Sequence, residues 1–359
     1  MIEQRASIVA YGAGLVGEFV CRQLSDNLLT IVDTDQVRLD ALTEKLHECI
    51  AVVGDAIEHA EGIDSTEYAL ALNMLPGRVG DRIREILITK GLDVVDIAFC
   101  AEDPARLRKV ARESGEILIH DVGIAPGLSN ILIAEAAREM GDLLKVSIKV
   151  GGNPVHKDDG WSYMAPFSPT DVIEEYTRPA RIIDSGKMAE VAAITELHEI
   201  EVKGHGSMEA FLTDGLRSLL DWGISLGIDD MREYTVRWPG HIQKYIELRA
   251  KGELDERKLV EEWRLDPSRN EFTWMRLEIK STNGESRTWE YDCQGTIGGD
   301  QSMAISTGLV AVAVSQSLLT NRNSMMPGVY APEDLPSSIC DRVQSVFDKR
   351  GNGALERVE

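Results

Sequence analysis

Cysteine is scarce and poorly placed for cross-linking. The five residues, Cys21, Cys49, Cys100, Cys293 and Cys340, are odd in number, scattered, and include no C-x-x-C pair. That argues against a disulfide framework and a zinc knuckle, and it fits a reducing compartment. Cations are also in short supply: 38 Lys and Arg face 60 Asp and Glu, a net charge of −22. With no long basic run, the chain would be repelled by a nucleic-acid backbone or an anionic membrane, so neither is an expected partner. Long apolar runs are missing. The longest, Gly308 to Thr320, carries Ser and Gln and is too short to span a bilayer. Met1-Ile2-Glu3-Gln4-Arg5 leads into a strand-like run without the layout of a signal peptide, and the protein reads as cytoplasmic. There is no internal repeat, no H-E-x-x-H, no G-x-S-x-G elbow and no G-x-x-x-x-G-K-[ST] loop. His47, His59, His120, His156, His198 and His205 form no metal-ligand spacing.

What is present is a rhythm. A length of 359 residues suggests two domains. Six short apolar runs, Ser7–Tyr11, Leu28–Val32, Ile50–Val53, Tyr68–Leu72, Val94–Ile97 and Glu116–Ile119, alternate with helix-like segments. Near-continuous apolar strands mark a parallel sheet covered on both faces. Asp103 followed by Pro104 caps one helix and Gly115 ends it, while Gly91 ends a helix from about Val79 to Lys90. Residues 1–124 are therefore expected to form a Rossmann-type, doubly wound parallel α/β domain.

Residues 125–300 read as a mixed α+β second domain. Lys145–Val150 alternates as a strand, and Ser168-Pro169-Thr170-Asp171 has capping-box form before Val172, Ile173 and Tyr176. Met275–Lys280 and Arg287–Tyr291 flank Asn283-Gly284, a strong hairpin signal. Residues 301–359 are expected as C-terminal helices packing back on the first domain: an apolar helix over Ser302–Leu319, then a surface helix after Pro336 ending near Gly351.

The chemistry starts at Gly12-Ala13-Gly14-Leu15-Val16-Gly17, a G-x-G-x-x-G run between the first strand and a helix. Gly12 permits a tight turn, and Gly14 lets backbone approach a pyrophosphate. Gly17 allows close packing, with Leu15 and Val16 at a helix N-terminus that favours the anion. Asp33 ends the second strand, where a carboxylate accepts bonds from ribose hydroxyls and repels a 2′-phosphate. Thr34 and Asp35 follow with no adjacent Arg, so NAD is favoured over NADP. Asp55, after the third strand, is a candidate at the adenine end. Asn73-Met74-Leu75-Pro76-Gly77, after the fourth, is a candidate lining for the nicotinamide side through Asn73, Pro76 and Gly77. His120-Asp121-Val122-Gly123-Ile124-Ala125-Pro126-Gly127-Leu128-Ser129-Asn130 follows the sixth strand as a close-approach loop, with Asp121 at the strand end and Asn130 near the next helix.

Here the sequence resembles the saccharopine dehydrogenase-like proteins, and within them the NAD-dependent lysine 6-dehydrogenases. The resemblance runs from Gly12 to about Glu333. It rests on the loop just quoted, on Gly151-Gly152-Asn153-Pro154, Glu175-Tyr176-Thr177-Arg178-Pro179-Ala180-Arg181 and Ala210–Ser218, and on Thr235-Val236-Arg237-Trp238-Pro239-Gly240-His241 and Gly328–Glu333. Saccharopine-forming members usually carry Asp before the Pro-Gly of the loop; Ala125 stands there, as in the lysine 6-dehydrogenase branch. The resemblance implies oxidative deamination of the ε-amine of lysine and points to a homodimer, for which the strand-rich second domain offers edges and faces.

Such chemistry needs a base, because an ammonium must lose a proton before the carbon beside it is oxidised. His241 and Asp121 are the two candidates, one taking the proton while the other orients the amine or activates water. Arg178, Arg181, Arg217 and Arg237 each offer a bidentate partner for a substrate carboxylate, and Arg237 is preferred because it shares a block with His241. Arg178, Asn130 and Asn153 complete the substrate candidates. Two alternatives stay open: a saccharopine- or carboxynorspermidine-type oxidoreductase, and an NAD-binding protein without catalysis.

Overall fold

Each of the six apolar runs becomes a parallel strand. The computed structural model describes residues 5–347 and 353–358. The order begins β1 (Ser7–Tyr11), α1 (Leu15–Gln23), β2 (Leu28–Asp33), α2 (Gln36–Thr43), β3 (Cys49–Val53) and α3 (Ala56–Gly62). It continues with β4 (Leu70–Asn73), α4 (Gly77–Thr89), β5 (Val94–Asp96), α5 (Arg108–Ser114) and β6 (Ile117–Ile119). Asp103 accepts from the Ala105 N–H and opens a short 3₁₀ turn ahead of α5, and Gly115 ends that helix at φ +83°. β1, β4, β5 and β6 are almost wholly buried by helices on both faces, whereas β3 is an exposed sheet edge.

The second unit holds α6 (Leu128–Met140), β7 (Leu143–Pro154), α7 (Pro169–Thr177), β8 (Ala180–Asp184), β9 (Lys187–Val191) and β10 (His198–Val202). It goes on through β11 (Gly206–Leu212), α8 (Leu219–Ser225), β12 (Asp230–Arg237), α9 (His241–Lys251), α10 (Glu256–Glu262), β13 (Glu271–Ser281) and β14 (Ser286–Gln294). The β13–β14 hairpin turns at Asn283-Gly284, with Gly284 at φ +92°. β12 and β7 run parallel inside an otherwise antiparallel sheet. A cluster of Trp161, Tyr163, Tyr176, Phe211, Tyr245 and Trp263 forms an aromatic core between α7, α9, α10 and the sheet. Ser168 precedes α7 without the side-chain cap its sequence suggests; its hydroxyl bonds to that of Thr170.

α11 (Ser302–Asn321), β15 (Gly328–Tyr330), α12 (Ser337–Phe347) and β16 (Gly353–Arg357) complete the chain. The first unit comprises the chain to Leu128 with Thr307–Val346, and the second comprises Ser129–Ser306 with the C-terminal strand. The parallel sheet has order β15-β6-β5-β4-β1-β2-β3, so its seventh strand comes from the far end of the sequence. The mixed sheet has order β10-β11-β12-β7-β13-β14-β16, with β8 and β9 attached beside β12.

The C-terminal expectation changes. α12 buries Ile339, Cys340, Val343 and Phe347 on one face and leaves Ser337, Ser338 and Asp341 exposed on the other, and β16 pairs with β14 in the second sheet. The expected end near Gly351 lies outside the described residues. The helical segment Ser302–Ser324 reaches a mean hydropathy of 1.6, long and apolar enough to cross a membrane, but 78% of its most apolar stretch is buried inside this fold. Its composition is that of a core helix.

Two glycines of the first loop make opposite demands. A Cβ on Gly17 would fall on the Gly12 carbonyl oxygen, whereas one on Gly14 would meet nothing within 4 Å. Urea unfolding should therefore show Gly17→Ala losing about 1–3 kcal/mol through overpacking. Gly14→Ala should stay within about 0.5 kcal/mol of the parent. Equal losses would contradict this packing.

Candidate active site

In an open parallel sheet, ligands bind beyond the carboxyl ends of the strands where the strand order reverses. Here that point lies between β1 and β4. Gly12, at φ +102°, turns the chain there and donates its N–H to the Val32 carbonyl (2.9 Å). α1 then starts at Gly14 with no side-chain cap. Its first N–H groups and the open space beside Gly14 make a cradle that an ordinary side chain would fill. Asp33 is half-buried at the end of β2, and its carboxylate accepts from the N–H groups of Ala13 (2.7 Å) and Asp35 (2.9 Å). A fixed acid thus stands beside the cradle, and the residues present fit a dinucleotide.

Four other cofactor candidates take different work. Asp55 is exposed and caps α3, accepting from the N–H groups of Ile57 and Glu58. Asn73 is fully buried, and its amide donates to the Gly80 carbonyl (2.9 Å) and to Asp96 (3.0 Å), so it braces α4 against β5. Pro76 is the N-cap of α4, and Gly77 is glycine because a Cβ would strike the Phe99 carbonyl.

Beyond β5 and β6 lies a buried charged group. Asp96 accepts from Asn73, from the Ala98 N–H (2.8 Å) and from Arg84 (3.4 Å), and burial pushes its carboxyl up to about 6 against the pull of Arg84. Arg84 is itself buried and shared with Asp81. Asp121 sits at φ +56°, a backbone region that non-glycine residues rarely adopt, and its carboxylate lies 3.2 Å from His120 Nδ1. Both are buried. His120 and Asp96 escape the sequence reading, although each stands at the carboxyl end of a strand. The following loop folds back tightly: the Leu128 N–H reaches the Gly123 carbonyl (2.8 Å), and a Cβ on Gly127 would fall on that same carbonyl.

The second unit holds the other candidates. Arg237 ends β12 with its side chain buried. Its Nε–H donates to the Tyr176 hydroxyl (2.9 Å), one Nη to the Val236 carbonyl (2.9 Å) and the other to the Tyr163 hydroxyl (3.4 Å). Its guanidinium also stands over the Tyr163 ring at 4.4 Å. Asn153 donates to the same Val236 carbonyl (3.1 Å), and its buried Oδ1 has no hydrogen-bond partner among the described residues. Asn130 is buried and accepts from the Ser129 hydroxyl (3.1 Å). Arg178 pairs with the buried Asp214 (2.8 Å), which Arg181 also grips with two bonds.

His241 differs from its expected role as a base. Burial, with Arg237 beside it, lowers its pKa to about 3, and both ring nitrogens are engaged, by Trp161 and Tyr176. A ring with no open lone pair and so little affinity for protons does not serve as a general base. Two glutamates near this cluster are absent from the sequence reading. Burial raises Glu175, beside Arg237 and Arg178, to about 7. It raises Glu233, which accepts from Thr213 (2.7 Å), to about 8. Glu175 lies inside a block quoted for the resemblance, but no role is read for it there.

A glycine cradle on a parallel sheet, with buried acids beyond the strand ends, defines a Rossmann-type α/β fold. Residues 123–352 match the family model for the saccharopine dehydrogenase C-terminal domain, more than half of the chain. The chain belongs to the saccharopine dehydrogenase family. It is 21% identical over 198 residues to the mitochondrial alpha-aminoadipic semialdehyde synthase of Rattus norvegicus, covering 52% of this chain and 21% of that one. It is 20% identical over 195 residues to the saccharopine dehydrogenase (NADP+, L-glutamate-forming) of Schizosaccharomyces pombe, covering 52% and 43%. The chain thus spans less than half the length of these curated relatives. Among solved structures, apo saccharopine dehydrogenase (L-Glu forming) from Saccharomyces cerevisiae superposes with a TM-score of 0.75 at 14% identity, over 99% of this chain and all of that one. Homospermidine synthase from Legionella pneumophila, in complex with NAD, gives 0.65 at 11% identity, over 99% and 92%.

The raised acids make stability depend on pH. A glutamate titrates near 4.3 when unfolded. Glu175 and Glu233 keep their protons to about 7 and about 8 in the fold. The stability linked to them is complete below the unfolded pKa and is lost as pH rises through those values. Thermal melts from mildly acidic to mildly alkaline pH should show Tm falling, and Glu233→Gln should flatten the fall. A parallel slope in the variant would refute the assignment.

Proposed function

We propose that the chain is an NAD-dependent dehydrogenase that converts the ε-amine of L-lysine to 2-aminoadipate 6-semialdehyde, which closes to piperideine-6-carboxylate. The observation that carries this reading is a pair of buried carboxylates, Asp96 and Asp121, at the carboxyl ends of β5 and β6. Arg84 is shared between Asp96 and Asp81, and His120 Nδ1 lies 3.2 Å from Asp121. Buried carboxylates favour a cationic amine over an anionic substrate group.

Asp33 supports NAD. A 2′-phosphate would stand against a carboxylate that the Ala13 and Asp35 N–H groups hold in place, and the nearby cation Arg38 pairs with Asp35 (3.3 Å). Gly12, Gly14 and the start of α1 would hold the pyrophosphate. When bound, the nicotinamide supplies the two-electron acceptor.

The protein's own part is proton handling and placement. Asp121, held at φ +56° with His120 Nδ1 at 3.2 Å, accepts the proton that the ammonium must lose. The product iminium then takes up water, yielding the aldehyde and ammonium. Within the second unit, Arg237 retains two N–H groups beyond the three in use, and Asn153 Oδ1 has no hydrogen-bond partner among the described residues. Ala125 before Pro126-Gly127 favours this reading over a saccharopine-type reaction, which would require glutamate or 2-oxoglutarate.

NADH formation should be screened across lysine, ornithine, cadaverine and saccharopine. Turnover of lysine without an added keto acid is the expected result, and exclusive turnover of saccharopine would replace it with the alternative. Asp121→Asn should lower kcat by about 10²–10⁴ with little change in NAD affinity by calorimetry. Asp33→Ser should narrow the gap between NAD and NADP binding. Near-native kcat in Asp121→Asn would remove that residue from catalysis.

A further inference from the structure

One face of the second sheet can be read row by row from its strand registers. A first row runs Asp230, Lys145, Lys280, Ser286 across β12, β7, β13 and β14. The next runs Arg232, Ser147, Glu278, Thr288. Lys145 and Lys280 therefore stand directly opposite each other on antiparallel strands, where Cβ atoms lie about 4.5–5.5 Å apart and like charges destabilise the pairing. Nearby acids give little relief. Asp230, 3.4 Å from Lys145, is also held by Arg232, and Glu278 is taken by Lys149. Among the described residues no acid pairs with Lys280.

This lysine pair lines a cavity of about 430 Å³. A curl of the sheet encloses it. β10 and β16 are opposite ends of the strand order, yet the turn between β10 and β11 reaches across to β14 and β16. His205 there bonds both carboxylate oxygens of Asp292 (3.1 Å), and Lys203 pairs with Glu356 (3.1 Å). Val202, Met208, Val236, Phe272 and Trp274 fill the curl at that end, and polar side chains line the cavity at the other. Such a mouth is a common seat for small ligands.

Several donors in the cavity have no protein acceptor. Lys149, more than nine-tenths buried, gives N–H groups to Ser147 (3.0 Å) and Glu278, and its third N–H has no acceptor among the described residues. Ser147 is buried too; its oxygen accepts that bond and its O–H stays available. The hydroxyls of Ser286 and Thr288 bond to no described residue. In a chain of net charge −22, an unrelieved pair of cations beside unused hydroxyls marks a place for an anion. Both cations are lysines. Their compact charge suits a tetrahedral phosphate, whereas the planar fork of arginine suits a carboxylate.

We propose that this cavity binds a phosphate group, free or carried on a small metabolite, between the Lys145 and Lys280 ammonium groups and the Ser147, Ser286 and Thr288 hydroxyls. The site lies wholly within the second unit and shares no residue with the candidate active site, so it stands apart from the amine-oxidising reading.

The test titrates inorganic phosphate, glycerol 3-phosphate and succinate into the full chain by calorimetry at fixed ionic strength. Both phosphates should bind, and the tighter of the two tells a carried group from a free one. Lys145→Gln and Lys280→Gln should each weaken phosphate about 2- to 5-fold, the effect of one exposed charge pair, and the double variant should lose it. Both lysines are exposed, so these chains should fold. In phosphate-free buffer Lys280→Gln should melt no lower than the parent, because it removes a repulsion. Phosphate should raise the Tm of the parent and leave that of the double variant unchanged. Succinate binding as tightly as phosphate would overturn the assignment. Phosphate binding indifferent to both lysines would put the anion elsewhere, for example at the glycine turn of the first unit, and would overturn the site. So would a dimer in sedimentation that Lys145→Glu with Lys280→Glu splits, since a second copy would then cover this face.

Discussion

A carboxylate taken out of water must find donors or keep its proton, and both units are arranged around that constraint. Asp96 finds Asn73, the Ala98 N–H and Arg84. Asp214 finds two arginines. Glu271 receives the N–H and hydroxyl of Ser302 and so starts α11. Glu175 and Glu233, less well supplied, keep their protons near neutrality. These acids sit on β5 in the first unit and on α7, β12 and β13 in the second, with Asp214 just after β11.

The fold was legible because its signals are local. Six apolar runs, the glycine turn at Gly12 and the Asn283-Gly284 hairpin each follow from a few adjacent residues, and the structure carries all of them. β15 and β16 were not legible: three and five residues long, they become strands through neighbours distant in sequence, β6 and β14. The Ser168 cap shows the complementary error, since a pattern that permits a bond does not compel it.

Site residues were harder to read, for a physical reason. Residue type reports which chemistry is available, whereas environment decides which is used. His241 has the right side chain for a base, yet burial and two hydrogen bonds turn it into a fixed acceptor. Asn73 stands at a strand end where ligands bind, yet both of its donated bonds go to protein groups. Asp96 and His120 gain their interest only when the sheet brings β5 and β6 side by side. Glu175 gains its own only when β12 places Arg237 against α7.

The first sheet has a further consequence, which concerns order in time. β15 lies at an edge, against β6, and contributes the final strand of the nucleotide-binding unit. A ribosome delivers it only after Ser129–Ser306 has been made, with α12 and β16 still to follow. Throughout that interval β6 presents unpaired backbone groups to whatever strand is nearby, and the second unit is the richest source of strands. The first unit is thus started first yet gains its last strand only near the end of the chain. The chain must lay down β7 to β14 without letting any of those strands take the seat reserved for Gly328–Tyr330.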